Sequence, residues 1–233
     1  MAISRWALIP LVSLLTLFLQ GCDKHAQDRA AIHHVIEKVI TARDERNGEA
    51  YSQLIAADNL DYYARTLKIA LSGKKADITA LPFHQRYEIL LVRLLGTKKE
   101  LKALDGKGYV AWAVSNGLYE YMPSPNADLN IGDLTFRQDE AYCDLVVKTE
   151  RKVRLHRRGS TTITEEKPTP YTLRFSLEGG QWKFDENTFN KALDIQIQTE
   201  INQAGVDEDK VLIGMLKENT GMDIPPHIWT MMK

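Results

Sequence analysis

Ile32, Val35, Ile36, Val39 and Ile40 recur with the 3.6-residue period of a helix that Asp28 is placed to cap, and Asn47-Gly48 interrupts it. A second helical stretch spans about 49–71, with Tyr51, Leu54, Ile55, Tyr63 and Leu67 on its apolar side and Gly73 at its end. Pro82 opens a third, in which Tyr87, Leu90, Leu91, Leu94 and Leu95 face inward as far as Gly96. Thr97-Lys98-Lys99-Glu100 reads as a capping box for a short helix carrying Leu101 and Leu104. Residues 105–108 read as a turn. Tyr109, Trp112, Ala113, Asn116 and Tyr119 then return to helical spacing until Pro123 and Pro125.

From Ile131 the period drops to two. Leu134 and Phe136 alternate with Thr135 and Arg137, and Ala141, Cys143, Leu145 and Val147 alternate with polar neighbours. Tyr171, Leu173, Phe175 and Leu177 lead into Gly179-Gly180, and Trp182 and Phe184 return. The two glycines supply the positive φ angles that a tight hairpin demands. Helical spacing resumes with Leu193, Ile197 and Ile201, passes Gly205, and continues through Val211, Leu212, Met215 and Leu216. Helices followed by a late antiparallel sheet predict an α+β fold. Residues 29–190 form its domain and 191–233 a C-terminal helical extension.

The first residues read differently. Met1 to Arg5 carry one positive charge and no acid, and residues 6–19 are apolar except for Pro10, Ser13 and Thr16. That run is about 14 residues, where a helix crossing a bilayer needs about 20, so it predicts a cleaved leader over 1–21. Leu19-Gln20-Gly21-Cys22 closes the run and resembles the lipobox of bacterial lipoproteins. Gln20 departs from the small residue favoured at its position. The resemblance implies that Cys22 is acylated and becomes the new N-terminus, with 22–28 as a short polar tether. Two or three acyl chains hold a protein firmly where one gives only marginal binding. Asp23 resembles the signal that retains such lipoproteins at the inner membrane, so the expected location is its periplasmic face, with the outer membrane as the alternative.

With Cys22 lipidated, Cys143 has no partner for an internal disulfide in an oxidising compartment. Its alternating apolar register makes it a buried, inert thiol. The chain carries 30 Lys and Arg against 31 Asp and Glu, a formal charge of −1, which argues against a dedicated nucleic-acid binder. Hydrophobic residues at 44% and charged ones at 26% exclude a disordered or disulfide-stapled chain.

The segments Asp139-Glu140-Ala141-Tyr142-Cys143-Asp144-Leu145-Val146-Val147, Tyr171 to Leu177 and Gly179-Gly180-Gln181-Trp182-Lys183-Phe184 resemble the nuclear-transport-factor-two-like (SnoaL-like) family. In that family helices close the mouth of a curved antiparallel sheet, so the resemblance implies a cone-like sheet under N-terminal helices. The family includes isomerases, dehydratases and epoxide hydrolases as well as lipoproteins, and no catalytic motif transfers residue by residue. Residues 74–125 are longer and more helical than a minimal cone.

Candidate chemistry is sparse. His33 and Glu37 lie one turn apart, but no third ligand is spaced to complete a metal site, and no metal or other cofactor is expected. No H-E-x-x-H, C-x-x-C, G-x-S-x-G or phosphate-binding loop occurs. His84, Tyr87, Trp112, Tyr119 and Tyr142 either line a pocket for a small apolar ligand or simply fill the core. Lys148, Arg151, Lys152, Arg154, His156, Arg157 and Arg158 form the one basic concentration, broken by Glu150. It suits anionic headgroups, an acidic envelope partner, or a solvated hairpin loop. The expectation is a lipid-anchored accessory domain that binds a ligand or partner without catalysis. The alternatives are a cone-fold enzyme of isomerase or hydrolase type and a structural subunit of an envelope complex.

Overall fold

The computed structural model describes residues 9–120, 130–154 and 160–232, with side chains described over 25–120, 132–144 and 172–232. Its elements in chain order are α1 (Ile9–Asp44), α2 (Gly48–Ser52), α3 (Ala57–Ser72), α4 (Lys75–Thr79), α5 (Phe83–Leu95), α6 (Lys98–Leu101), α7 (Gly106–Ser115) and a 3-10 turn, Leu118–Glu120. Strands β1 (Asn130–Arg137), β2 (Glu140–Arg154), β3 (Ser160–Glu178) and β4 (Gln181–Asp185) follow. Helices α8 (Glu186–Ala204) and α9 (Glu208–Thr220) and a last turn, Pro226–Trp229, complete the chain. The fold is α+β.

The four strands form an antiparallel meander in the order β1-β2-β3-β4. Its register aligns Phe136, Ala141, Phe175 and Phe184 in one row and Leu134, Cys143 and Leu173 in the next, so one face is apolar. Ile32, Val35 and Ile36 of α1 and Leu193 of α8 cover that face, which also carries Trp182. The Phe136 and Trp182 rings, from the first and last strands, stand 6.0 Å apart. Gly179 and Gly180 take φ of 56° and 80° at the β3–β4 turn, as their pairing in the sequence demands.

A second, larger core lies among the helices. It gathers Tyr51, Tyr63, Leu67, Phe83, Tyr87, Leu90, Leu91, Tyr109, Val110 and Leu118. Ile201, Leu212, Leu216 and Ile228 belong to the same cluster, so the C-terminal helices are packed into the body of the domain. Arg93 secures the tail: its guanidinium donates to the carbonyls of Ile69, Ala70 and Gly73 and, at 3.1 Å, to that of Ile228.

Several local expectations are corrected. The first helix runs without a break from Ile9, so Asp28 lies inside it instead of capping it; its carboxylate accepts the Trp182 indole N–H at 3.0 Å. The stretch over 49–71 splits at residues 53–56. There the chain leaves the helix to pair with the sheet edge, where Phe184 N–H donates to Leu54 O (2.8 Å) and Ala56 N–H to Phe184 O (2.9 Å). This satisfies the edge of β4, a tertiary gain that overrides local helical spacing. Helix α7 begins at Gly106, where a turn was expected, because Asp105 caps it by accepting from Gly108 N–H at 2.7 Å.

Candidate functional site

The unusual chemistry lies inside the helical core. Glu186 is the first residue of α8, directly after β4, and it is buried. The hydroxyls of Tyr51 on α2 and Tyr63 on α3 donate to its two carboxylate oxygens, and Tyr119 reaches one of them at 3.4 Å. Tyr119 and Tyr63 are also 3.3 Å apart, hydroxyl to hydroxyl. Burial pushes the Glu186 carboxyl above the usual carboxylate range, and the three phenols oppose that shift by bonding the charged form. Burial, reinforced by the Glu186 charge, raises Tyr51, Tyr63 and Tyr119 well above an ordinary phenol.

One layer away sits a second acid. Glu88 on α5 is buried and accepts the Tyr109 hydroxyl at 2.6 Å, while Oε2 has no partner. The Tyr109 and Tyr63 rings are 5.8 Å apart, linking the two acids through aromatic contact. Burial pushes the Glu88 carboxyl up to about 8, with the Glu186 charge adding to the shift. Glu88 therefore keeps its proton at neutral pH. A neutral carboxyl with one unoccupied oxygen is able to donate a hydrogen bond or a proton.

His84 lies one helical turn before Glu88 on α5. It is buried, and its backbone N–H donates to Asp194 at 2.6 Å. Its ring Nδ1 has no partner, and burial lowers the imidazole to about 4, so the ring is neutral. Asp144 lies on the exposed polar face of the sheet, where Thr172 Oγ1 donates to it at 2.9 Å.

The five expected pocket residues are not brought together. Tyr119 belongs to the Glu186 cluster, and Trp112 stacks on Tyr109 at 6.2 Å. Tyr87 meets α9, where Asn219 Nδ2 donates to its hydroxyl at 2.8 Å, and His84 meets α8. Tyr142 lies on the sheet face opposite Ala141 and Cys143, donates to Glu140 at 2.6 Å and lies under the Arg137 guanidinium. That face holds its own chain of charges: Arg174 bonds both Glu140 and Asp185, and Asn59 Nδ2 donates to Asp185 at 2.8 Å.

Cys143 is buried, as expected, and burial raises its thiol to about 11. His33 is exposed, and among the described residues no three His, Cys, Asp or Glu side chains gather as metal ligands. Cys22 and Asp23 fall within α1, with side chains outside the described residues. Lys148, Arg151, Lys152 and Arg154 lie along the outer half of β2, also without described side chains, and Arg157 and Arg158 lie outside the described residues altogether. No helix among the described residues is long and apolar enough to cross a membrane.

Sequence reasoning missed Glu186 and the buried phenol that bonds Glu88. The signal was present in the tyrosines: Tyr51, Tyr63, Tyr109 and Tyr119 all sit at inward positions, and a buried phenol needs an acceptor. No protein family, curated protein or solved structure matches the chain.

Proposed function

We propose that this chain is a lipoprotein held on the periplasmic face of the inner membrane by acylated Cys22, serving there as a non-catalytic binding domain. The observation that carries the reading is Leu19-Gln20-Gly21-Cys22-Asp23 at the end of an apolar run that follows a basic start. The way α1 seats on the sheet supports it. His25 packs on Phe136 at 4.8 Å, Arg29 lies over the same ring, and Asp28 holds Trp182, so the domain begins a few residues after the cysteine. The Glu186 cluster supports the absence of catalysis, because phenols of the same chain occupy both carboxylate oxygens and tie α2, α3 and the 118–120 turn to α8.

Membrane fractionation of wild type and Cys22→Ser tests the anchor. Wild type stays with membranes through a high-salt wash and the variant is released or stalls unprocessed; equal retention of both would remove the anchor. Asp23→Ser tests sorting, with movement to the outer membrane expected and no movement contradicting retention by Asp23.

One observation favours a second reading, a cone-fold enzyme: Glu88 holds a proton at neutral pH and keeps Oε2 unpartnered. The Phe136–Trp182 contact supports the cone, since two intervening strands spaced about 4.8 Å apart keep such rings from meeting across a flat sheet. In that reading Glu88 is a general acid and Tyr109 orients it.

A further inference from the structure

The β2–β3 hairpin extends well past the rest of the sheet. β1 pairs with β2 only as far as Asn130↔Val146, and β4 pairs with β3 only from Arg174 onward. Among the described residues, 147–154 and 160–167 continue as a ribbon paired only with each other, Val147↔Lys167 through Arg154↔Ser160. A register shift between Asp144 and Val146 marks where the ribbon leaves the sheet, and Pro168 lies at that point on β3. Eight residues at about 3.3 Å each give an arm of roughly 26 Å.

The arm's two strands differ. Over 147–154, β2 carries Lys148, Arg151, Lys152 and Arg154 against Glu150, a net of 4 − 1 = +3. Over 160–167, β3 carries Glu165, Glu166 and Lys167, a net of 1 − 2 = −1, and both acids pair near the base, opposite Thr149 and Lys148. Residues 160–163, opposite the outer basic residues, are uncharged. Pro168 and Pro170 break the donor row on the β3 side, whereas residues 147–154 contain no proline. Among the described residues, nothing pairs with the outer edge of β2 beyond Val146, although the chain covers the edge of β4 with residues 54–56.

The arm also points away from the anchor. His25, Asp28 and Arg29 contact Phe136 and Trp182, each two residues from the turns at 138–139 and 179–180, and those turns share one end of the sheet. The arm leaves the opposite end. From Ala141 to Arg154 the strand runs about 43 Å at 3.3 Å per residue, several Debye lengths at physiological salt, where one is about 8 Å.

The geometry points to the open edge of β2, residues 147–154, as the docking site for an acidic, extended segment of a partner protein that adds to the sheet as a further strand. The inference deepens the binding-domain reading and rests on it for the position of the anchor. Main-chain hydrogen bonds supply the pairing, and Lys148, Arg151, Lys152 and Arg154 select for acid. A second copy of this chain is disfavoured, because the same edge of a second chain brings another net charge of +3 against the first.

Fluorescence anisotropy of the intact chain in neutral detergent, with a labelled peptide of four Glu-Val repeats, tests this directly. Binding is expected to weaken at least tenfold between 50 and 500 mM salt and to exceed that of a four-repeat Lys-Val peptide at least tenfold. The variant Arg151→Glu/Lys152→Glu/Arg154→Glu reverses the preference, and an unchanged thermal midpoint shows that it folds. Equal binding of both peptides, no binding of either, capture only by phosphatidylglycerol vesicles, or self-association lost in the variant would each overturn the proposal. The assay does not depend on acylation, so failure of Cys22 to carry lipid and failure of the arm to bind are separately visible.

Discussion

Tyr109 donates its hydroxyl to Glu88 across 2.6 Å inside the helical core, and no salt bridge reaches that carboxyl among the described residues. The carboxyl answers by holding its proton, and its folded value rises to about 8. His84, one turn earlier on α5, makes the opposite response and stays neutral, with its value lowered to about 4.

Those two shifts predict a pH profile of stability. For Glu88 the folded value lies above the unfolded one, so its contribution is complete below about 4.5 and is lost as pH rises to about 8. For His84 the folded value lies below the unfolded 6.5, so its contribution is lost as pH falls from 6.5 toward 4. Between 4.5 and 6.5 the two slopes oppose each other, and between 6.5 and 8 only Glu88 of the two contributes. Urea midpoints should fall from pH 6.5 to 8 with a slope of at most about 1.4 kcal/mol per pH unit from this group. Glu88→Gln should flatten that limb. A wild-type profile unchanged by the substitution would contradict the buried proton.

Glu186→Leu should destabilise the domain by about 3 kcal/mol, because it leaves the buried Tyr51 and Tyr63 hydroxyls without an acceptor. Glu186→Gln keeps an acceptor and should cost less. Chemical denaturation followed by tryptophan fluorescence orders the two, and equal losses would deny the phenol cluster its structural part.

Much of this fold is legible in the sequence, and the reasons are local. Gly73, Gly96 and Gly205 end helices where the spacing places them, the Thr97–Glu100 capping box forms, and Gly179-Gly180 turns β3 into β4. The break at 53–56 is not local: it exists because Phe184, about 130 residues away, needs backbone partners. The acid cluster escaped for the same reason. Glu186 follows a strand and Glu88 sits mid-helix, and only the packing of α2, α3, α5 and α7 makes them meet tyrosines. Tyr142 was grouped with the inward aromatics although its alternation with Ala141 and Cys143 already assigned it to the other face.

Cys143 should resist thiol reagents in the folded protein, since burial both shields it and raises it to about 11. Labelling with an aromatic disulfide at pH 8 should follow global unfolding and show no fast phase. Rapid stoichiometric labelling of the native protein would contradict its burial.

Gly48→Ala should be far more damaging than Gly180→Ala. A Cβ at 48 would meet the Ala111 carbonyl oxygen at 1.8 Å, where α2 lies against α7, whereas at 180 nothing lies within 4 Å and the cost is the positive φ alone. That cost is about 1 kcal/mol, so thermal denaturation should separate the variants clearly. Similar midpoints would contradict the close approach of the two helices.

The location proposed for this chain depends on Cys22. Intact mass spectrometry of the protein extracted from the membranes of its own cell tests this most directly. The account predicts a chain that starts at Cys22 and carries ester- and amide-linked acyl chains; a chain that starts at Met1 with an unmodified Cys22 thiol would contradict it.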